Sequence, residues 1–150
     1  MKINKIELIE AELERIRMEH GGVLNPPSVV EVAADPENIL HGCFQWDDTK
    51  AAQEYRLWQA RQLISTIVTI LPNTREPVRM YVSLKDDREE GGYRGIVDVL
   101  NDADMRRRML KEALAEFTHF KRKYQQVKEL TPVFEAAEKV EAAELEIQVA

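Results

Sequence analysis

Apolar residues recur at helical spacing in the first part of the chain. Isoleucine and leucine stand three or four residues apart at Ile3, Ile6, Ile9, Leu13 and Ile16. This spacing predicts an amphipathic helix over about residues 3–19, which Gly21 and Gly22 then end. Pro26 opens a second, shorter helix, because proline suits a first helical turn. That helix ends before Pro36.

The segment after the second helix is predicted to be a loop that packs onto the core through Phe44 and Trp46. Asp47 or Asp48 then suits the N-cap of a third helix, over about residues 48–65. Two apolar stripes run along this helix, one of Ala51, Tyr55 and Trp58 and the other of Leu57, Ala60 and Ile64. Two stripes predict a helix that is packed on two sides.

The chain then changes from helical to strand character. β-Branched residues precede a proline-bounded turn, and apolar residues alternate after it, which predicts a β-hairpin over residues 66–84. Residues 86–92 are mostly polar and predict a loop tip. Residues 93–97 predict either a third short strand or the approach to a helical turn at 97–100.

A long helix is predicted over about residues 103–130, with Asp102 or Asp104 as its N-cap. Its apolar seam has heptad-like spacing and consists of Leu110, Ala113, Phe117, Phe120, Tyr124 and Val127. This seam either packs against the core of the same chain or pairs with a second copy. For a homodimer we expect the interface at Leu110, Phe117, Phe120 and Tyr124.

Together these elements predict the α+β fold class. We expect N-terminal helices in winged-helix-like order (helix, helix, β-hairpin), a small antiparallel sheet and a long C-terminal helix. One domain is predicted over residues 1–131, including the long helix, and an acidic helix or tail over 132–150. Pro132 sets that boundary because proline interrupts a helix.

Composition narrows the class of protein. The chain has 150 residues, of which 44% are hydrophobic, so it is long enough to bury a core without a disulfide or metal. Its single cysteine, Cys43, excludes an internal disulfide framework. No apolar run approaches the ~20 residues that span a membrane, and the N-terminus lacks a signal-peptide core. We therefore expect a soluble protein of the cytoplasm with no membrane partner.

Charge is uneven along the chain. The 21 Lys and Arg against 27 Asp and Glu give a net charge of −6. Residues 101–130 nevertheless contain eight basic and five acidic residues, and the run Arg106 to Arg108 lies in the first turns of the long helix. Cations are unfavourable at that end of a helix. The arginine run therefore indicates either a partner that supplies phosphate or acidic protein groups, or ordinary solvation and pairing with nearby carboxylates.

The order of elements favours a winged helix-turn-helix, with helix 48–65 as the recognition helix and hairpin 66–84 as the wing. Lys, Arg and Gln are the side chains that read base edges in a major groove, and basic side chains also contact phosphates. The DNA-contacting residues of this hypothesis are Lys50, Gln53 and Arg61 on one helix face, Arg56 at its edge, and Arg75 and Arg79 on the hairpin.

Three features favour a plain α+β domain with solvated side chains instead. Glu54 repels phosphate on the same helix face, and Leu57 there has the character of a buried residue. The connection between the two helices is also longer than the three- or four-residue turn of a standard helix-turn-helix.

No catalytic motif accompanies this pattern. Serines lack a flanking base and the glycine pairs lack the flanks of a phosphate loop, so we expect no enzyme, no catalytic residue and no cofactor. His41 and Cys43 stand near Asp47 and Asp48, but a structural zinc site needs four ligands, mostly Cys and His. We therefore expect no metal.

A set of residues spread over most of the chain forms one further pattern: Leu24 to Glu31, Leu40-His41, Phe44, Trp46 to Asp48, Ala51-Ala52, Tyr55-Arg56, Gln59 to Arg61, Leu63-Ile64, Tyr81 to Leu84 and Gly91 to Arg94. By this set the chain resembles small proteins encoded in tailed-phage and prophage genomes. The resemblance implies a phage or prophage origin and a role in a bacterial cytoplasm. It implies no activity and no site.

Two hypotheses of function follow. The first is a non-enzymatic, phage-derived regulatory protein that binds double-stranded DNA as a winged helix-turn-helix, paired into a dimer through its C-terminal helix. The second is a protein-interaction module that binds a host or virion protein without nucleic acid, through its acidic faces or its helix seam.

Overall fold

The computed structural model describes residues 4–46 and 49–149 and confirms the α+β fold class. The chain forms two compact units, unit 1 (Met1–Asn101) and unit 2 (Asp102–Ala150). The boundary predicted at residue 131 falls inside unit 2, where the last helix packs against the long helix before it.

Helix α1 (Lys5–Glu19) begins at a capping box. The side chain of Asn4 accepts the N–H of Ile6 at 3.4 Å, and the carboxylate of Glu7 accepts the N–H of Asn4 at 3.2 Å. The helix ends where predicted, because Gly21 and Gly22 adopt φ angles of 67° and 86°, which favour glycine. This turn delivers the chain into strand β1 (Val23–Leu24).

Helices α2 (Pro26–Ala33) and α3 (Lys50–Thr66) follow near their predicted positions. The N-cap of α3 is Thr49, whose hydroxyl accepts the N–H of Ala52 at 3.2 Å. The two aspartates predicted as caps, Asp47 and Asp48, lie outside the described residues.

Helix α3 buries one face rather than the predicted two. Arg56, Ala60 and Ile64 are buried, whereas Tyr55 and Trp58 are 44% and 50% exposed. The stripe that begins at Ala51 is therefore a surface feature of unit 1.

The region predicted as one hairpin contributes to two sheets. The remaining elements of unit 1 are strands β2 (Val68–Thr69), β3 (Val78–Arg79) and β4 (Tyr81–Val82), helix α4 (Lys85–Arg88), strand β5 (Tyr93–Gly95) and helix α5 (Ile96–Asn101). Strand β5 lies between β1 and β4, and all three are antiparallel. Strands β2 and β3 pair separately, with Val68 opposite Arg79.

Met80 explains why the hairpin divides. Its N–H donates to the carbonyl oxygen of Ile67 at 3.0 Å, and its own carbonyl accepts the N–H of Ile96 at 2.8 Å. Met80 therefore bonds through its N–H to the residue before β2, and through its carbonyl to the residue after β5. Both alternatives for residues 93–100 occur, since β5 leads directly into α5.

A partly buried polar network crosses unit 1. Arg17 is 7% exposed and donates to Glu14, to Oδ2 of Asp98 at 2.6 Å and to the carbonyl of Gly22 at 3.2 Å. The hydroxyl of Tyr81 donates to Oε1 of Glu14 at 2.8 Å. The network ties α1 to β4 and α5. Around it lies the apolar core, which includes Leu13, Ile16, Leu24, Val29, Leu40 and Ile64.

Unit 2 is a helical hairpin. Helix α6 (Ala103–Tyr124) ends before the predicted residue 130, and a 3-10 turn leads into α7 (Thr131–Val149). Pro132 stands in the first turn of α7, where its missing N–H is tolerated. Ion pairs from Arg107 to Glu144 and from Lys121 to Glu138 show that the two helices run antiparallel. Among the described residues, no helix is long and apolar enough to cross a membrane.

Candidate functional site

Helix α3 and the β2–β3 hairpin carry all six residues predicted to contact DNA, and five of the six are exposed. Lys50, Gln53 and Arg61 are exposed on α3, and Arg75 and Arg79 are exposed on the hairpin. The hairpin begins two residues after α3 ends, so both belong to one continuous stretch of unit 1.

The basic side chains of unit 1 fall into two groups. Some pair with a carboxylate, as Arg15 does with Glu12 and Glu19, and Arg94 with Asp87. Five side chains have no ionic or hydrogen-bond partner within the described part of the unit: Lys5, Lys50, Arg61, Arg75 and Arg79. Four of these five lie on α3 and the hairpin that follows it.

The same stretch is positive within a negative unit. Unit 1 contains twelve Lys or Arg and seventeen Asp or Glu, a net charge of −5. Residues 50–79 contain five basic residues and two acidic ones, Glu54 and Glu76, a net charge of +3. A cluster of one sign attracts ligands of the other sign regardless of the net charge of the whole protein.

Arg56 does not belong to this surface. The residue is 9% exposed, its Nη1 donates to the carbonyl of Gln45 at 3.1 Å, and its guanidinium lies 5.2 Å above the ring of Trp46. The prediction that placed Arg56 at the edge of a DNA-binding surface is corrected here. The side chain fixes the segment before α3, because its helical position points into the unit with Ala60 and Ile64.

The connection between α2 and α3 is a loop held by side-chain contacts. Phe44 is buried, as predicted, and Trp46 stacks on His41 with ring centroids 4.9 Å apart. The indole N–H of Trp46 donates to the carbonyl of His41 at 2.9 Å, and Nδ1 of His41 lies 2.8 Å from the carbonyl of Ala33. These contacts hold a long connection in one conformation and so position the start of α3.

An exposed aromatic pair on α3 was not predicted as a surface feature from the sequence. The rings of Tyr55 and Trp58 stack at 5.5 Å with 15° between their planes, on the outer face of α3. Their spacing of three residues indicated that they share a face. Spacing alone could not show that this face is open, because the same pattern is typical of a packed stripe.

The β4–β5 hairpin, and not the whole of residues 66–84 as predicted, belongs to the sheet that contains β1. The segment between these strands is acidic, with Asp86, Asp87, Glu89 and Glu90. The basic hairpin β2–β3 is a separate sheet inserted before it.

The predicted dimer residues of α6 separate into two groups. Leu110 and Phe117 line an open groove. Phe120 contacts Tyr124 at 4.8 Å and the buried Phe134 at 6.0 Å between ring centroids, although Phe120 itself remains 40% exposed.

The arginine run at the start of α6 is partly paired. Arg107 reaches Glu144 at 3.3 Å and Arg108 reaches Asp104 at 2.9 Å. These pairs offset the unfavourable position of the cations near the helix N-terminus.

Across residues 4–46 and 49–149 the structure contains no group of three or more His, Cys, Asp or Glu that could hold a metal. Comparisons with family models, with curated proteins and with solved structures returned no match to this chain. The candidate site therefore stands on its own geometry and charge.

Proposed function

We propose that this protein is a non-enzymatic DNA-binding regulatory protein of winged helix-turn-helix type. The observation that supports the proposal is the grouping, on α3 and the adjoining hairpin, of four cations that have no partner among the described residues: Lys50, Arg61, Arg75 and Arg79. Unpaired basic side chains can neutralise phosphates without first breaking an internal ion pair, and phosphate neutralisation supplies much of the affinity for DNA.

The topology of unit 1 agrees with this proposal. Helix α1, strand β1, helices α2 and α3 and then the β4–β5 hairpin follow in the order of a winged helix, with β5 pairing with β1. Two features differ from a minimal domain of that type. The α2–α3 connection is long, and the β2–β3 hairpin is inserted after α3.

In this proposal α3 enters a major groove, which is wide enough to admit an α-helix. Lys50, Gln53 and Arg61 contact base edges from the exposed side of the helix. Arg75 and Arg79 hold phosphates beside the groove, which orients the domain without reading sequence. The acidic β4–β5 segment faces away from the duplex, because its carboxylates repel phosphates. By its resemblance to phage proteins, we place this regulator in a bacterial cytoplasm.

Fluorescence anisotropy with a labelled random-sequence duplex of about 25 base pairs tests the proposal. We expect the full chain to bind, with an affinity that falls steeply between about 50 and 200 mM salt as counterions are released. The double variant Lys50→Ala and Arg61→Ala should lose at least about tenfold in affinity and show a shallower salt dependence.

Lys5→Ala is the matched control, because Lys5 is also exposed and has no partner in the described part of the chain, but it lies on α1. It should bind like the unmodified chain. Absence of binding at low salt would overturn the proposal, and so would an equal loss of affinity in the Lys5 variant.

The second candidate function is a protein-interaction module that binds a host or virion protein. The exposed Tyr55–Trp58 pair favours it, because tryptophan, tyrosine and arginine dominate the energetics of protein interfaces. Under this alternative a host or virion protein is recovered by the unmodified chain and by the Lys50/Arg61 double variant. Trp58→Ala then abolishes the recovery, while duplex DNA does not bind.

A further inference from the structure

Unit 2 has an open groove between its two helices on one face of the hairpin. The groove has a volume of about 560 Å³, and its lining contains only apolar side chains. Helix α6 contributes Leu110, Ala113, Leu114 and Phe117, and helix α7 contributes Pro132, Val133, Ala136, Ala137 and Val140. Phe117, Val133 and Val140 are each more than 40% exposed, so the groove is an uncovered apolar surface.

Both helices carry a heptad stripe on this face. The α6 stripe is the seam that begins at Leu110 and Ala113, and the α7 stripe has the same alternation of three and four residues at Val133, Ala136, Val140, Ala143 and Ile147. Ile147 continues the exposed stripe beyond the groove, at 57% exposure. Heptad spacing on two adjacent helices is typical of a four-helix bundle, in which each stripe packs against a helix of the opposite pair.

The hairpin buries little of its own apolar surface. Among its described residues, Phe134 is the buried hydrophobic residue of the unit. A two-helix unit must cover its apolar stripes against another layer of structure. Unit 2 spans only Asp102–Ala150, and folded units of fewer than about 70 residues usually gain the missing stability from an additional staple or from association.

The distribution of charge favours a second copy of the same hairpin as the layer that covers these apolar stripes. Helix α6 contains seven basic and three acidic residues, a net charge of +4, whereas α7 contains one basic and five acidic residues, a net charge of −4. Within one hairpin, ion pairs such as Lys121–Glu138 already join the basic helix α6 to the acidic helix α7. A second copy turned about a two-fold axis sets α6 of one chain against the oppositely charged α7 of the other.

We infer that unit 2 is a homodimerisation element and that two hairpins close over this groove as an antiparallel four-helix bundle. The occupant of the groove is therefore the same groove of a second chain, in a self-complementary two-fold interface. The inference does not depend on DNA binding. It also extends the predicted interface, because Val133 and Val140 of α7 line the groove together with residues of α6.

Light scattering coupled to size-exclusion chromatography on the full chain tests this inference. A chain of 17.4 kDa should elute as a species of twice that mass at micromolar concentration. Val140→Glu places a charge in the apolar groove and should shift the mass to that of one chain, with at least about a hundredfold weaker association. Because Val140 is 46% exposed in the single chain, the variant should keep its helical circular dichroism.

Ala142→Glu is the matched control. Ala142 is exposed on the same helix but lines no part of the groove, so this variant should remain dimeric. A single-chain mass for the unmodified protein at about 100 μM would overturn the inference and would mean that the groove is covered within its own chain or by a different protein. Equal loss of the dimer in the Val140 and Ala142 variants would also overturn it. Should Val140→Glu lose its helical signal, Phe117→Ser in the same groove supplies the comparison.

Discussion

The hydroxyl of Tyr81 donates a hydrogen bond to Oε1 of Glu14, and the two atoms are 2.8 Å apart. The tyrosine lies on β4 and is 1% exposed, while the glutamate lies on α1. Glu14 also accepts from Nε of Arg17 at 2.8 Å. One carboxylate therefore joins the first helix of unit 1 to its sheet, across 67 residues of chain.

Removing this hydroxyl should destabilise unit 1. Tyr81→Phe keeps the ring in the core and deletes one hydrogen bond to a charged acceptor, which should lower the free energy of unfolding by about 1–2 kcal/mol. Urea denaturation followed by circular dichroism measures the change. Tyr93→Phe is the control, because the hydroxyl of Tyr93 has no hydrogen-bond partner within the described residues. Equal effects of the two substitutions would argue against a specific role for the Tyr81–Glu14 bond.

The same network predicts loss of stability in acid. Hydrogen bonds from Arg17, and secondarily from Tyr81, hold the pKa of Glu14 below its ordinary value of 4.5. A carboxylate whose pKa is lowered by folding contributes stability above its unfolded pKa, and that contribution is lost as the pH falls through the folded pKa. The free energy of unfolding should therefore decrease below about pH 4.5, and Glu14→Gln should make the decrease shallower. Glu31→Gln on α2 should leave the slope unchanged, because that exposed carboxylate has no partner within the described residues.

Periodicity predicted the helices well because each has its own local signals. The capping box at Asn4, the glycine pair after α1 and the proline at the start of α2 act within a few residues of the chain. The sheet depends on partners far apart in sequence. Nothing local to Met80 shows that its N–H and its carbonyl serve two different sheets, and strand β1 is two residues long.

The candidate site was predictable in part. The residue types that suit DNA could be selected from α3, and the helix period placed Lys50, Gln53 and Arg61 on one face. Arg56 could not be placed in this way, because its burial depends on Gln45 and Trp46 in the preceding loop. Likewise, the open groove of unit 2 depends on how α7 packs against α6, which the predicted domain boundary had separated.

Gly92 should tolerate no larger side chain. A Cβ atom at this position would lie 2.7 Å from Cγ1 of Val23 and 3.1 Å from Oδ1 of Asn25. Gly92→Ala should therefore displace β1 from the loop that precedes β5 and lower the free energy of unfolding by about 1–3 kcal/mol. Gly42→Ala provides the comparison, because a Cβ there meets no atom within 4 Å. Its effect should stay within about 0.5 kcal/mol, as for most surface substitutions. A Gly92→Ala protein as stable as Gly42→Ala would contradict the packing of β1 described above.

Arg56 and Arg61 lie on the same helix, and substituting each in turn should separate an effect on stability from an effect on DNA binding. Arg56 is buried under Trp46 and bonded to the Gln45 carbonyl, so Arg56→Ala should lower the free energy of unfolding by about 1–3 kcal/mol. Below its unfolding transition the variant should bind the duplex within about twofold of the unmodified chain, since that difference is under 0.5 kcal/mol.

Arg61→Ala should show the opposite pattern, because Arg61 is exposed and has no partner within residues 4–46 and 49–149. Its stability should change by less than about 0.5 kcal/mol, while its affinity for the duplex falls. Denaturation and anisotropy on the same two protein samples give both quantities. A folded Arg56→Ala protein that loses as much DNA affinity as Arg61→Ala would restore Arg56 to the binding surface. Its guanidinium would then have to leave Trp46 when DNA binds.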